Sequence, residues 1–488
     1  MDAEDRELMR AVRAYLERVT ALAQQEARAT RTPVGDAITA HLGVDAASLP
    51  VVQESIADHR LVDADIALEA MSETGGGTLI GVSGGQQRMH NAMAEIVSNA
   101  HLRFEPGPVD YAERATGPST SRRVVSMGVR LLSFQGHPIA VMQRAASPQS
   151  GRSSAMLEVM GEDAGVVSAF LAELRAEMIR RSVLRGQVLS FAPTEFGRDA
   201  GATFIARPDV TADDIVLPDG LLDEIVQHVA GIGEHRELLR RAGQHLKRGV
   251  LLYGPPGTGK TLTVRHLLAG SPDATVVLLT GTSIRLVGLA AEIARTFEPS
   301  IVVLEDIDLV AMERHGSPQP LLFEVLEALD GLDGDADIAF VMTTNRVEVL
   351  ERALAERPGR VDLAVEVPLP ARPERERLLR HYAHALPFSD AAIAAAADAT
   401  EGVTGSFAKE LVRRAVLLAA ARGEDPADAH LSAALDDLLS ARRQLTRRML
   451  GGEADQPAPP GVTPGGAWSA VTARGVTYGA TPGVTHGG

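Results

Sequence analysis

The sequence predicts an α/β chain: a doubly wound parallel sheet with a C-terminal helical lid and an N-terminal α+β domain. Three observations predict it. From Leu221 to Pro370 short apolar runs alternate with helical patterns, as in successive βαβ units. One of those runs, Val250–Tyr253, ends in a glycine-rich turn, Gly254–Gly259, which opens a helix near Lys260. From Arg372 to about Leu450 only helical patterns follow.

The first region, residues 1–195, opens with Leu8, Val12, Tyr15, Leu16, Val19 and Leu22 on one helical face. That face packs on its own domain or docks a partner. Strand-like runs at Val124–Phe134 and Ile139–Arg144 flank "QGHP", a hairpin turn. A third run, Met156–Val159, precedes a helix from about Ala164 to Arg181, with apolar Val167, Phe170, Leu171, Leu174 and Met178. "GVSGGQQR" (Gly81–Arg88) resembles the signature of transporter ATPases. That signature needs a phosphate loop upstream, and none precedes it; a glycine-rich turn before a helix at Met89–Ser98 is the expectation. Residues 196–220 read as a linker, ending in the polar, proline-marked Arg207–Gly220.

In the α/β region, 221–370, the expected strands are Val250–Tyr253, Thr275–Leu279, Ile301–Leu304, Ile338–Met342 and Ala364–Val367. The lid spans 371–450. The tail, 451–488, is Gly, Pro, Thr and Ala with recurring "VT", which cannot bury a core and is expected to be disordered. It holds the single tryptophan, Trp468, as part of an inert tail or a short partner motif.

The 488 residues allow two or three domains, and 45% apolar content suffices for ordinary cores. The absence of cysteine excludes disulfides, zinc ribbons and thiol nucleophiles. No apolar run approaches a membrane span, and the acidic "MDAEDRELMR" is no signal peptide, so a cytoplasmic protein without a membrane partner is expected. A net charge of −16 argues against nucleic acid as the main partner. Lys247, Lys260 and Lys409 are the only lysines, which reads as a composition bias towards arginine and makes the placement of Lys260 informative.

"GPPGTGKT" carries the chemistry. Gly254, Pro255, Pro256, Gly257, Thr258 and Gly259 form a turn whose backbone N–H groups curl around phosphate oxygens, beside the dipole of the helix that follows. Lys260 reaches the β- and γ-phosphates, Thr261 is placed for Mg²⁺, and Leu262 continues the helix. The expected ligands are ATP and Mg²⁺.

With "PSIVVLEDID", "LEALDGL", "TTNR", "ERPGRVDL" and "TEGVTGS" in order after that loop, residues 213 to 439 resemble an AAA+ ATPase of the classical AAA clade, built on the P-loop NTPase sheet. The resemblance implies ATP hydrolysis and assigns roles. Glu305 takes the metal position and Asp306 the base position, in reverse of the usual Asp-Glu order. The reversal changes each arm by one methylene, about 1 Å, and a misplacement of that size can cost about 100-fold in rate. The AAA ATPases that move the Rieske protein across the mitochondrial inner membrane have a similar "LEDxD" strand and "RPGRVDL" segment. Asp308 is the alternative base, or a local cap. Asn345 resembles the sensor that positions water, a task Thr344 could share. Arg357 and Arg360 resemble fingers that reach the neighbouring subunit's site, which implies a homo-oligomeric ring, a hexamer. Gly405 and Ser406 would lie beside adenine and ribose, with Ser406 departing from the family's alanine.

At the pore-loop position stands "RLVG" (Arg285–Gly288), with Leu286 where unfoldases carry an aromatic residue. No HExxH is present, and "VTHGG" lacks the hydrophobic-Tyr-X proteasome-docking ending. The function expected is an ATP-driven remodelling, unfolding or translocation of a protein client chosen by the N-terminal domain. The alternatives are a nucleotide-switched assembly protein with minimal turnover and a nucleic-acid-directed motor.

Overall fold

The structure, a computed structural model, describes residues 15, 18–19, 31–99, 101–147, 151–194, 197–308, 335–346 and 361–449. The tail, Arg357, Arg360, "LEALDGL" and most of the N-terminal helical face lie outside these; of that face Tyr15 and Val19 are helical and exposed.

The N-terminal domain is one antiparallel sheet with both faces covered. Its strands are β1 (Val52–Ile56), β2 (Thr78–Val82), β3 (Pro106–Gly107), β4 (Asp110–Ala115), β5 (Ser121–Phe134), β6 (His137–Arg144) and β7 (Ala155–Met160). Their order is β1-β7-β6-β5-β2-β3, with β4 also paired to β5. The turn at "QGHP" joins β5 and β6 as expected, with Phe134 opposite His137. Because side chains alternate across a strand, β6 serves two cores. Ile139 and Val141 pack with helices α2 (Leu61–Gly75) and α4 (Ala164–Arg180); Ala140 and Met142 pack with α1 (Pro33–Leu42) and α3 (Met93–Val97). Asp163 caps α4, its carboxylate accepting from the N–H groups of Gly165 and Val166 at 2.7 and 3.1 Å. The "SGGQQR" stretch is a turn with Gly84 and Gly85 at φ 135° and 67°, followed by a 3₁₀ turn, Gln86–Met89. The helix after it is α3 alone, shorter than Met89–Ser98, because Asn91 and Ala92 break the turn and Glu95 bonds back to the Ala92 N–H at 3.0 Å.

A second seven-stranded sheet holds β8 (Val188–Thr194), β9 (Gly197–Ile205), β10 (Arg248–Tyr253), β11 (Thr275–Thr280), β12 (Ser300–Glu305), β13 (Ile338–Thr344) and β14 (Leu363–Glu366). The order is β14-β10-β13-β12-β11-β8-β9, and every pair is parallel except β8–β9. The chain leaves β10 in one direction and returns to its other side, which puts a crevice at the strands' C-terminal ends. Helices α5 (Leu221–Val226) and α6 (Lys260–Ala269) cover one face and α7 (Val287–Thr296) the other. Arg248 and Asp337, both buried and 2.8 Å apart, tie the start of β10 to the start of β13.

The boundary differs from the sequence reading. β8 and β9 run through residues assigned to the N-terminal domain and the linker, and β8 adds to β11 with Val188 opposite Val276. Phe191 and Leu189 are buried there. Nor is 207–220 an open linker. The Arg207 guanidinium donates to the carbonyls of Leu268, Ser271, Gly186 and Ala274 at 2.7–3.0 Å.

The two sheets meet over Phe297, whose ring lies under Arg60 and Arg185 at 5.4 and 5.7 Å. Beside it Asp63 accepts from the Ser182 hydroxyl and the Val183 N–H at 2.8 and 3.0 Å. The lid comprises α8 (Arg372–Tyr382), α9 (Asp390–Ala399), α10 (Gly405–Arg422) and α11 (Asp428–Met449), packed round Leu379, Ala397, Leu411 and Ala415. Among the described residues no helix is long and apolar enough to cross a membrane.

Candidate active site

The phosphate loop joins β10 to α6 through three glycines that no other residue could replace at low cost. Gly254, Gly257 and Gly259 have φ of 139°, 78° and 114°. A Cβ on Gly254 would sit 2.3 Å from the Val367 carbonyl oxygen, and one on Gly257 2.8 Å from Ser406 Oγ. The Lys260 ammonium is buried within the loop, donating to the carbonyls of Gly254 and Pro255 at 2.7 and 2.8 Å. Burial pushes its pKa down, opposed by the charges of Asp306 and Asp308.

The acids at the end of β12 point to different partners. Burial first, and Asp306 second, push the Glu305 carboxyl pKa up, and the Thr261 hydroxyl at the start of α6 pulls it down. Asp306 turns the other way. Its backbone has φ 52°, the left-handed region that Asp and Asn enter more readily than other side-chain-bearing residues. Its N–H donates to Thr343 Oγ1 at 3.0 Å, and its Oδ1 accepts from Asn345 Nδ2 at 3.1 Å. The reversed order therefore has a local reason: the position that turns left-handed holds the shorter acid.

Asp308 is buried. It accepts from the Thr344 hydroxyl at 3.0 Å and from the Asn345 N–H at 3.1 Å. It thus fixes the end of β13, and with it the Asn345 amide that touches Asp306. This matches the cap reading of Asp308 and leaves Asp306 as the acid facing the cleft.

A cleft of about 420 Å³ is lined by Pro256 through Leu262, Arg265, Asp306, Asn345, Gly405 and Ser406. Gly254, Pro255 and Glu305 are not part of this lining, and Arg357 and Arg360 lie outside the described residues. The lid touches the loop directly, with Ser406 N–H donating to the Gly257 carbonyl at 3.2 Å. Asp214 to Pro218, Glu374, Leu378, Tyr382 and Lys409 also line the cleft, and the sequence reading missed them. The spacing of 374, 378 and 382 puts three α8 residues on one face, a signal visible in the sequence but without a direction. Burial pushes the Tyr382 phenol pKa up.

The residue types fit a magnesium ion: the Thr261 hydroxyl and the neighbouring Glu305 carboxylate are both hard oxygen ligands at the edge of a phosphate cradle. Such an ion neutralises charge on phosphate oxygens when bound. Asp306 and Asn345, joined by their hydrogen bond, can hold and polarise a water at the cleft.

At the pore-loop position, a 3₁₀ turn, Gly281–Leu286, runs straight into α7. Leu286 is half-buried against the core that holds Ile284 and Val287, leaving Arg285 and Gly288 exposed.

Residues 250–369 match the model of the ATPase family associated with various cellular activities (AAA). The chain is 33% identical over 268 residues to the ATP-dependent zinc metalloprotease FtsH 3 of Sphaerobacter thermophilus, covering 52% of this chain and 54% of that one. To the FtsH of Acidothermus cellulolyticus it is 34% identical over 314 residues, 56% and 46% of the two chains. To the proteasome-activating nucleotidase of Thermococcus onnurineus it is 30% identical over 266 residues, 51% and 66%. The chain thus spans about half to two thirds of the length of these relatives.

Proposed function

We propose, from the AAA ATPase domain that residues 250–369 form, that the chain hydrolyses ATP with Mg²⁺ in a homo-oligomeric, hexameric ring and uses the energy to remodel a protein client. The observation that carries this is the cleft that gathers Lys260, Thr261, Asp306 and Asn345, with the Asn345 amide donating to Asp306. In this reading Lys260 leaves the Gly254 and Pro255 carbonyls for the phosphates, Thr261 and Glu305 hold the metal, and Asp306 takes the proton of the attacking water. Arg357 and Arg360 of a neighbouring subunit add positive charge at the transferring phosphoryl group. The likeness of the acid strand to that of the Rieske-protein translocases supports a working site over a relic.

Protein as the client class is supported by the relatives' names, a protease and a proteasome activator. The N-terminal domain selects the client, in the cytoplasm. The packing of Leu286 into its own core favours handling of a folded client over threading of an unfolded chain. It also keeps a second reading in play, a nucleotide-switched assembly with minimal turnover. Sedimentation of the Asp306→Asn protein with and without Mg·ATP tests the assembly. A rise to about six subunits is expected; a protein that stays monomeric at saturating Mg·ATP overturns the ring. ATP-dependent rings whose wild-type form releases no phosphate would establish the switch instead.

A further inference from the structure

We propose that Thr343 is a positioning residue for ATP hydrolysis, holding Asp306 in the backbone conformation that presents its carboxylate at the cleft, an inference that rests on the reading of Asp306 as the base. The ladder between β12 and β13 ends at the pair Leu304 and Met342. Just beyond it the chain turns into the left-handed region at Asp306, with φ 52°. There the acceptor for the Asp306 N–H is a side chain, Thr343 Oγ1, at 3.0 Å. The far end of Asp306 is held as well, its Oδ1 accepting from Asn345 Nδ2 at 3.1 Å. Thr343 and Thr344 are both buried, and as successive strand residues they project to opposite faces of β13. Their hydroxyls serve different acids: Thr343 meets the backbone of Asp306, and Thr344 the carboxylate of Asp308 at 3.0 Å. Thr343 is not part of the cleft lining, so its action runs through Asp306 and not through the nucleotide.

A residue with a side chain stays in the left-handed region only where its surroundings hold it there. The Thr343 hydroxyl is one such hold. Without it the Asp306 N–H loses its acceptor, and an amide that is shielded from water and unpaired is costly. Turning the peptide between Glu305 and Asp306 towards another acceptor relieves that cost. The same turn returns Asp306 to ordinary backbone angles and swings its carboxylate away from the Asn345 amide. A displacement of about 1 Å at a catalytic group can cost on the order of 100-fold in rate. Valine in place of Thr343 removes the hydroxyl at nearly the same shape, whereas serine keeps it.

A double-mutant cycle on the full chain tests this, with phosphate release at saturating Mg·ATP and Mg·ATP affinity measured separately. Thr343→Val is expected to lower turnover about ten- to a hundredfold, with Mg·ATP affinity changed by less than about twofold. In the Asp306→Asn background the base is already lost, and the same substitution should cost less than about threefold. Thr343→Ser should retain most of the wild-type turnover, and it decides the case should the valine protein not fold. A loss of about tenfold or more in Thr343→Ser overturns the role of the hydroxyl. Wild-type turnover in Thr343→Val, or an equal loss in both backgrounds, overturns the positioning role while leaving hydrolysis intact. A wild-type chain that releases no phosphate overturns both.

Discussion

Arg357→Ala is expected to lower steady-state ATP turnover by about a thousandfold or more, with nucleotide affinity nearly unchanged. The arginine belongs to "ERPGR", in which Pro358 and Gly359 are residues that stop a helix. In the proposed ring it would act on the neighbour's phosphoryl group, so its loss would remove charge stabilisation of the transition state and not of the ground state. The same logic predicts complementation. Mixing Arg357→Ala subunits with Asp306→Asn subunits creates seams where an intact acid pair faces an intact arginine. Phosphate release should rise above that of either variant alone. Mixtures as inactive as their components would place Arg357 outside the site.

Asp306→Asn is expected to lower turnover by about a hundred- to ten-thousandfold while Mg·ATP still binds. Asparagine tolerates the left-handed backbone at this position and keeps an oxygen for the Asn345 amide. The loss would therefore report the missing base and not a collapsed loop. Glu305→Gln should differ in kind, weakening magnesium affinity by removing a charged oxygen ligand near Thr261. Comparing the magnesium dependence of phosphate release in the two variants checks this division. Equal effects on metal affinity would mean that the pair shares one role.

The parts of the site that were legible in the sequence are those the backbone forces. Three glycines with left-handed or related φ, a lysine and a threonine must stand in order for a loop to close round phosphate, and they do. Four of the five core strands, β10 to β13, were legible because each is buried on both faces and reads as an apolar run, whereas β14 buries only Val365. β8 and β9 were not. They come from a stretch marked by polar and proline residues, and a strand's partner across a domain boundary leaves no local pattern. The role of Asp308 was open because three nearby carboxylates look alike until Thr344 and Asn345 are seen to hold one of them. The base end of the cleft was missed for a similar reason: Glu374, Leu378 and Tyr382 share a face, but only the packed lid says which way that face looks.

The reversed acid pair is the point on which the account depends, and phosphate release by the purified wild-type chain tests it most directly. The account predicts turnover that requires magnesium and stops when the metal is chelated. Full-length protein that binds Mg·ATP and assembles, but releases no phosphate above the uncatalysed rate, would contradict it.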